Sequence, residues 1–222
     1  MREIALDTET TGLDPASGHR IVEIGCVEIV NGVPSGNDFQ RYVNPERDMP
    51  SGAFEVHGLS EDFLSDKPLF ADVAPDFVDF IQDSRLIIHN AEFDLGFLNA
   101  EFARLGIAAI PIERATDTVR MARRKYPGAR ASLDDLCRRF QIDNSDRTLH
   151  GALKDAMLLA QVYLELIGGR QPGLELARQA GPSVAEAGAG SHRPPRPHAP
   201  TADEEAAHGA FVAQLEDPVW RR

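Results

Sequence analysis

The sequence has no stretch approaching the roughly 20 consecutive apolar residues that a membrane-spanning helix needs. No short apolar segment of the secretory kind precedes its first strand-like run either. A cytoplasmic protein with no membrane partner is therefore expected. Cysteine is scarce: Cys26 and Cys137 sit in apolar or helical patterns and lack both CxxC and metal-ligand spacing. This points away from a disulfide scaffold and towards buried, reduced thiols. Positive charge is short as well, with 23 Lys and Arg against 35 Asp and Glu and a net charge of −12. That balance argues against a protein that coats nucleic acid with a broad basic face. It leaves room for an enzyme that acts on nucleic acid through a metal-filled acidic cleft. Six basic and seven acidic residues fall in 170–222, so the acidity belongs to the part before them. With 222 residues and 42% hydrophobic composition, the chain can hold one domain of ordinary size plus a tail.

What is present is organised around Ile4-Ala5-Leu6-Asp7-Thr8-Glu9-Thr10-Thr11-Gly12. Its apolar start reads as a buried strand, and side chains at i and i+2 of a strand share a face. Asp7 and Glu9 therefore project together, which is costly unless a cation lies between them; oxygen ligands so placed suit Mg²⁺ or Mn²⁺. The alternative is a strand that ends at Leu6, with Asp7 to Thr10 as a solvated turn.

Arg20 to Val30 follows as a β-branched run closed by the hairpin signal Asn31-Gly32, and Phe39 to Val43 reads as a third strand. The chain thus begins as a β-meander. Ser51 to Val56 and Ser60 to Leu64 look like short helices around His57-Gly58. Apolar residues at Phe70, Val73, Ala74, Phe77, Val78 and Ile81 keep the helical period. A strand at Arg85 to Ile88 leads to a helix expected from near Asp94 to Leu105. A short strand near Pro111 to Thr116 comes next, then a helix from Thr118 to Lys125 and another after Ser132 as N-cap. The last helix, about Gly151 to Ile167, carries the stripe Leu153, Ala156, Met157, Ala160, Leu164 and Ile167.

Asp94 lies just past a strand end, and Asp155 stands within that stripe, where a carboxylate needs a partner. Together with Asp7 and Glu9 they suit two divalent ions about 3.5–4 Å apart, an arrangement that stabilises both attacking and leaving oxygens of phosphodiester hydrolysis. His150, an imidazole, suits a general base at neutral pH beside them.

The stretches Asp7-Thr8-Glu9-Thr10-Thr11-Gly12, His89-Asn90-Ala91-Glu92-Phe93-Asp94 and His150-Gly151-Ala152-Leu153-Lys154-Asp155-Ala156 resemble, in order, the three motifs of the DEDDh branch of the DnaQ-like 3′–5′ exonucleases. The resemblance covers about residues 2–168. It implies an α/β, ribonuclease H-like fold, a mixed β-sheet of about five strands flanked by α-helices; the Pro/Ala-rich composition beyond it adds a flexible C-terminal tail. It implies metal ligands Asp7, Glu9, Asp94 and Asp155 for two Mg or Mn ions, and His150 as the base. Thr10, Leu13, His57, Asn90 and Phe93 are implied to grip the 3′-terminal nucleotide. Lys154 departs from the family's apolar or small residue; facing away from Asp155, it is expected to leave catalysis unchanged.

Arg120, Arg123, Arg124, Lys125, Arg130, Arg138 and Arg139 are the basic concentration of the domain, either steering a DNA strand or forming a solvated helix face. The expected organisation is an exonuclease domain at 1–169, a flexible Pro/Ala-rich linker at 170–200, and a partner-binding segment at 201–222. Thr201 is the expected N-cap of a terminal helix, with Phe211, Leu215 and Trp220 as its contact residues. Within the linker, Gln171, Leu174 and Leu176 resemble a weak sliding-clamp-binding peptide. This layout resembles the polymerase-bound proofreading members of the family. It implies the polymerase alpha subunit as partner of 201–222 and a DNA 3′ end as substrate. Mismatched terminal nucleotides would be removed as nucleoside 5′-monophosphates. A free-standing exonuclease acting on RNA or single-stranded DNA is the alternative, and a catalytically silent scaffold between polymerase and clamp is a third.

Overall fold

The computed structural model describes residues 1–145, 149–168 and 199–214. Strands β1 (Arg2–Thr10), β2 (Ile21–Val30) and β3 (Val33–Tyr42) form an antiparallel meander. Strand β4 (Arg85–Ile88) adds in parallel to β1, and β5 (Ala115–Asp117) adds in parallel to β4. The order across the sheet is β3-β2-β1-β4-β5, so the antiparallel and parallel halves meet at β1. Short helices α1 (Ser51–His57) and α2 (Glu61–Ser65) follow the meander. Parallel neighbours need long crossovers; α3 (Phe70–Ile81) provides the one before β4 and α4 (Ala91–Leu105) the one before β5.

Alternation along β1 builds two cores, one on each face of the sheet. Ile4 and Leu6 join Phe77 of α3 and Phe97 and Phe102 of α4. Ala5 faces the layer made by α5 (Thr118–Lys125), α6 (Leu133–Phe140) and α7 (Ala152–Leu166), packing with Ala122, Leu136 and Leu159. Cys26 belongs to the first core and Cys137 to the second, so the sheet separates two buried thiols.

The expected five-stranded mixed sheet with flanking helices is present, with some boundaries moved. β1 continues to Thr10, which places Asp7 and Glu9 in the strand rather than in a turn. β3 begins at Val33, six residues before the expected start, because Asn31 (φ 52°) and Gly32 (φ 78°) make a two-residue turn that pairs Val30 with Val33 directly. α4 begins at Ala91, since Asn90 at φ 70° turns the chain straight from strand into helix. The strand expected at 111–116 is a 3-10 turn at Ile112–Arg114 followed by β5. Met157 of α7 and Ile167 just after it are exposed, whereas Leu159, Val162 and Tyr163 are buried. That helix packs against both β1 and β2, so more of its circumference is covered than one stripe provides.

The chain divides into two units, 1–174 and 175–222. Residues 199–214 of the second hold α8 (Ala202–Val212). The Thr201 hydroxyl accepts the N–H of Glu204 at 3.3 Å while the Glu204 carboxylate accepts that of Thr201 at 2.8 Å, the expected N-terminal cap. Phe211 lies on this helix. Gln171, Leu174, Leu176, Leu215 and Trp220 lie outside the described residues.

Candidate active site

The carboxyl ends of the parallel strands, where open α/β sheets place their ligands, collect the side chains singled out by sequence. Asp7 and Glu9 stand near the end of β1 on the α7 side, because they share the parity of Ala5. Asp94 enters from the first turn of α4, and Asp155 from the first turn of α7. A single cavity of about 330 Å³ is lined by Asp7, Glu9, Asp94, His150 and Asp155. Three of the four carboxylates are buried, with Glu9 at 7%, Asp94 at 2% and Asp155 at 3% exposure.

Asp94 and Asp155 are held by named contacts. Asp94 Oδ1 accepts two hydrogen bonds from Thr8, one from the backbone N–H and one from the hydroxyl. Burial pushes the Asp94 carboxyl up to about 7, against the opposing pull of those two bonds. A carboxylate so desolvated fits a cation, which would replace its proton. His150 places Nδ1 3.3 Å from Asp155 Oδ2, and its backbone N–H donates to the Val56 carbonyl at 3.0 Å. Ligand atoms of Glu9, His150 and Asp155 all lie within 4.8 Å of one another, close enough to share one ion. The donor set is oxygen-rich with one imidazole, chemistry that suits a hard divalent cation.

Two residues that the motifs did not single out position α7. Glu23 of β2, opposite Glu9 in register and 2% exposed, accepts the N–H of Ala152 at 3.1 Å and that of Gln40 Nε2 at 2.7 Å. Gly151 has no side chain with which to cap the helix, so the strand supplies the cap. At Gly25 the helix lies directly on the strand: a Cβ there would come within 2.1 Å of the Ala152 carbonyl carbon and the Leu153 nitrogen. A charged residue and a glycine inside the apolar run Ile21 to Val30 were the available signals.

Thr10, Leu13, His57 and Phe93 line a second cavity of about 680 Å³, which shares Thr8, Glu9 and Phe93 with the first. Leu13 is 84% exposed at its rim. His57 is buried; Nδ1 accepts the Leu59 N–H at 3.0 Å, which leaves the neutral ring's proton on Nε2. Nε2 makes no hydrogen bond of good geometry among the described residues. Burial holds the His57 pKa below its ordinary value, with the Thr10 carbonyl acting the other way. Asn90 is not part of this group. It lines neither of these cavities, but a third one beside the carboxylates.

The Exonuclease family model matches residues 4–163. DNA polymerase III subunit epsilon of Rickettsia felis is 58% identical over 179 residues, covering 79% of this chain and 78% of that protein. The Escherichia coli K12 protein of the same name is 50% identical over 177 residues, covering 76% and 72%. Among solved structures, exonuclease X in complex with 5′ overhanging duplex DNA is 28% identical with a TM-score of 0.58, covering 75% of this chain and 90% of that one. The nuclease domain of 3′hExo, a DEDDh family member bound to rAMP, superposes with a TM-score of 0.65 at 18% identity, over 75% of this chain and 91% of that one, and shares the fold.

Proposed function

This chain belongs to the Exonuclease family, and on that premise we propose that it is the proofreading 3′–5′ exonuclease subunit of a bacterial replicative DNA polymerase. It removes mismatched 3′-terminal nucleotides as nucleoside 5′-monophosphates. The observation that carries this reading is the gathering of Asp7, Glu9, Asp94, Asp155 and His150 around one cavity, directly beside a second of nucleotide size. Two relatives, 58% and 50% identical over 179 and 177 aligned residues, are named as DNA polymerase III epsilon subunits.

In this reading the terminal nucleoside occupies the larger cavity. Leu13 and Phe93 offer apolar surface to the base, and the Thr10 side chain lines the wall. His57 donates from Nε2 to a nucleotide oxygen, which would satisfy a buried donor that otherwise costs about 1–3 kcal/mol. The scissile phosphate then lies over Asp7, Glu9, Asp94 and Asp155, which would hold two Mg²⁺ or Mn²⁺ ions. When bound, such ions neutralise the phosphate oxygens and acidify the attacking water. His150 takes the proton of that water, and Asp155 at 3.3 Å stabilises the imidazolium that forms. The P–O3′ bond to the preceding nucleotide breaks, and the released 3′ oxygen becomes the new primer end. Selectivity for mismatches arises upstream of chemistry, since an unpaired end is cheaper to melt into a single-strand site.

The segment 201–222, with Phe211, Leu215 and Trp220 as contact residues, docks on the polymerase alpha subunit, and residues 170–200 act as its tether. Gln171, Leu174 and Leu176 form the sliding-clamp contact. The capped helix α8 fits the first of these roles, because its own cap lets it form on docking without support from the nuclease domain.

The test is degradation of a 5′-labelled primer, paired or mismatched at its 3′ end, with Mg²⁺, by the full chain alone and with the alpha subunit. Faster loss of mismatched ends is expected, increased by the alpha subunit and dependent on residues 201–222. A chain that ignored the polymerase and preferred short RNA would overturn the reading.

A further inference from the structure

The basic concentration around α5 and α6 is not one surface. Lys125 donates to the carbonyls of Glu165 and Leu166, Arg138 pairs with Asp135 at 3.0 Å, and the Arg139 guanidinium lies 4.5 Å from the centre of the Tyr126 ring. These three are used within the fold. Arg120 and Arg123 instead line a polar cavity of about 480 Å³ with Asn90, Glu92 and Asp117. It shares His89 and Ser132 with the carboxylate cavity and no residue with the cavity lined by Leu13 and His57. The carboxylate cavity therefore adjoins two different cavities that share no residue with each other.

A polymeric substrate needs both. If the terminal nucleoside fills the cavity of Leu13 and His57, the chain on the other side of the scissile phosphate must leave by another route. We propose that the cavity of Asn90 and Arg123 binds the phosphodiester backbone of the single strand immediately 5′ of the scissile bond, with Arg123 contacting a phosphate and the Asn90 side chain donating a hydrogen bond. The proposal rests on the exonuclease reading and adds to it a second binding site.

The charges within the cavity favour an anion at Arg123. Arg120 is neutralised by Glu92 and Asp117, and the Asp117 carboxylate also caps α5 by accepting the N–H groups of Val119 and Arg120. Arg123 makes no ion pair among the described residues and is exposed. Asn90 occupies the N-cap position of α4, where its side chain would ordinarily bond the helix, and does not do so. Its left-handed backbone leaves the amide group exposed at this cavity. A cation and an uncommitted amide beside a phosphodiester-cleaving centre suit a sugar–phosphate backbone without base readout.

The experiment compares two substrates on the full chain: an oligothymidylate of about ten nucleotides and the p-nitrophenyl ester of thymidine 5′-monophosphate, which carries no upstream phosphate. For Arg123→Ala, KM for the oligonucleotide is expected to rise about fivefold, with turnover of the ester unchanged. The slope of log KM against log salt should become shallower by about 0.7, the loss of one phosphate contact. Arg123→Lys should restore most of the affinity. If the variant matches wild type on both substrates, or loses equally on both, the proposal is overturned. If wild type hydrolyses neither substrate, the exonuclease reading itself fails and takes the proposal with it.

Discussion

Thr8 donates two hydrogen bonds to the same carboxylate oxygen of Asp94, from its backbone N–H at 3.0 Å and from its hydroxyl at 2.8 Å. Neighbouring residues of one strand thus do different work. Asp7 and Glu9 face α7, while Thr8 between them points the other way and fixes Asp94 from α4. The Oδ1 atom is thereby committed. Thr8→Val keeps the shape and removes the hydroxyl bond, worth about 1.5–3 kcal/mol to a charged acceptor. A loss of about tenfold in nuclease rate is expected, with recovery in Thr8→Ser. Equal rates in Thr8→Val and wild type would show that the hydroxyl does not orient Asp94.

The seat of α7 on β2 makes Gly25 sensitive to a single methyl group. In Gly25→Ala the new Cβ would meet backbone atoms of Ala152 and Leu153 at 2.1 Å, so the helix end carrying Asp155 has to move. A stability loss of about 1–3 kcal/mol is expected in urea unfolding, with nuclease activity falling further than the folded fraction. Gly96→Ala is the control: nothing lies within 4 Å of its Cβ in mid-helix, and a gain of about 0.5–1 kcal/mol is expected. Stability unchanged in Gly25→Ala would contradict the close packing of strand and helix.

His57 provides a dependence on pH. Its pKa in the folded chain lies below the ordinary 6.5 because burial disfavours the charged ring. The unfolded chain therefore binds more protons at mildly acidic pH, and this contribution to stability is full above 6.5 and is lost as pH falls through the depressed value. Urea midpoints of the metal-free chain should fall more steeply below pH 6.5 for wild type than for His57→Gln. Parallel curves would mean that the ring is not held neutral by its surroundings.

How much of this was legible in the sequence differs from element to element. The stripe from Phe70 to Ile81 announced α3 to the residue because one face of that helix is buried on the sheet. The first half of β3 was not legible. Val33 to Asp38 is mostly exposed on an edge strand, where register comes from the Asn31-Gly32 turn and not from burial. The carboxylates were legible because their chemistry forbids them in an apolar strand or stripe without a purpose. Asn90 lines a different cavity from Thr10, Leu13, His57 and Phe93, a placement that depends on a backbone φ of 70° that no side-chain pattern encodes. Glu23 and Gly25 went unnoticed as site residues because their role requires knowing that α7, some 130 residues later, begins on them.

The most direct measurement is hydrolysis of a single-stranded, 5′-labelled oligonucleotide by wild type and Asp155→Ala, first in chelator and then with Mg²⁺ restored, with folding of the variant followed by circular dichroism. Wild type should be silent in chelator and active with Mg²⁺, while the folded variant loses activity by a factor on the order of 10³ or more. A folded Asp155→Ala that still hydrolyses the strand with Mg²⁺ would show that the cavity of Asp7, Glu9, Asp94 and Asp155 is not where the bond is broken.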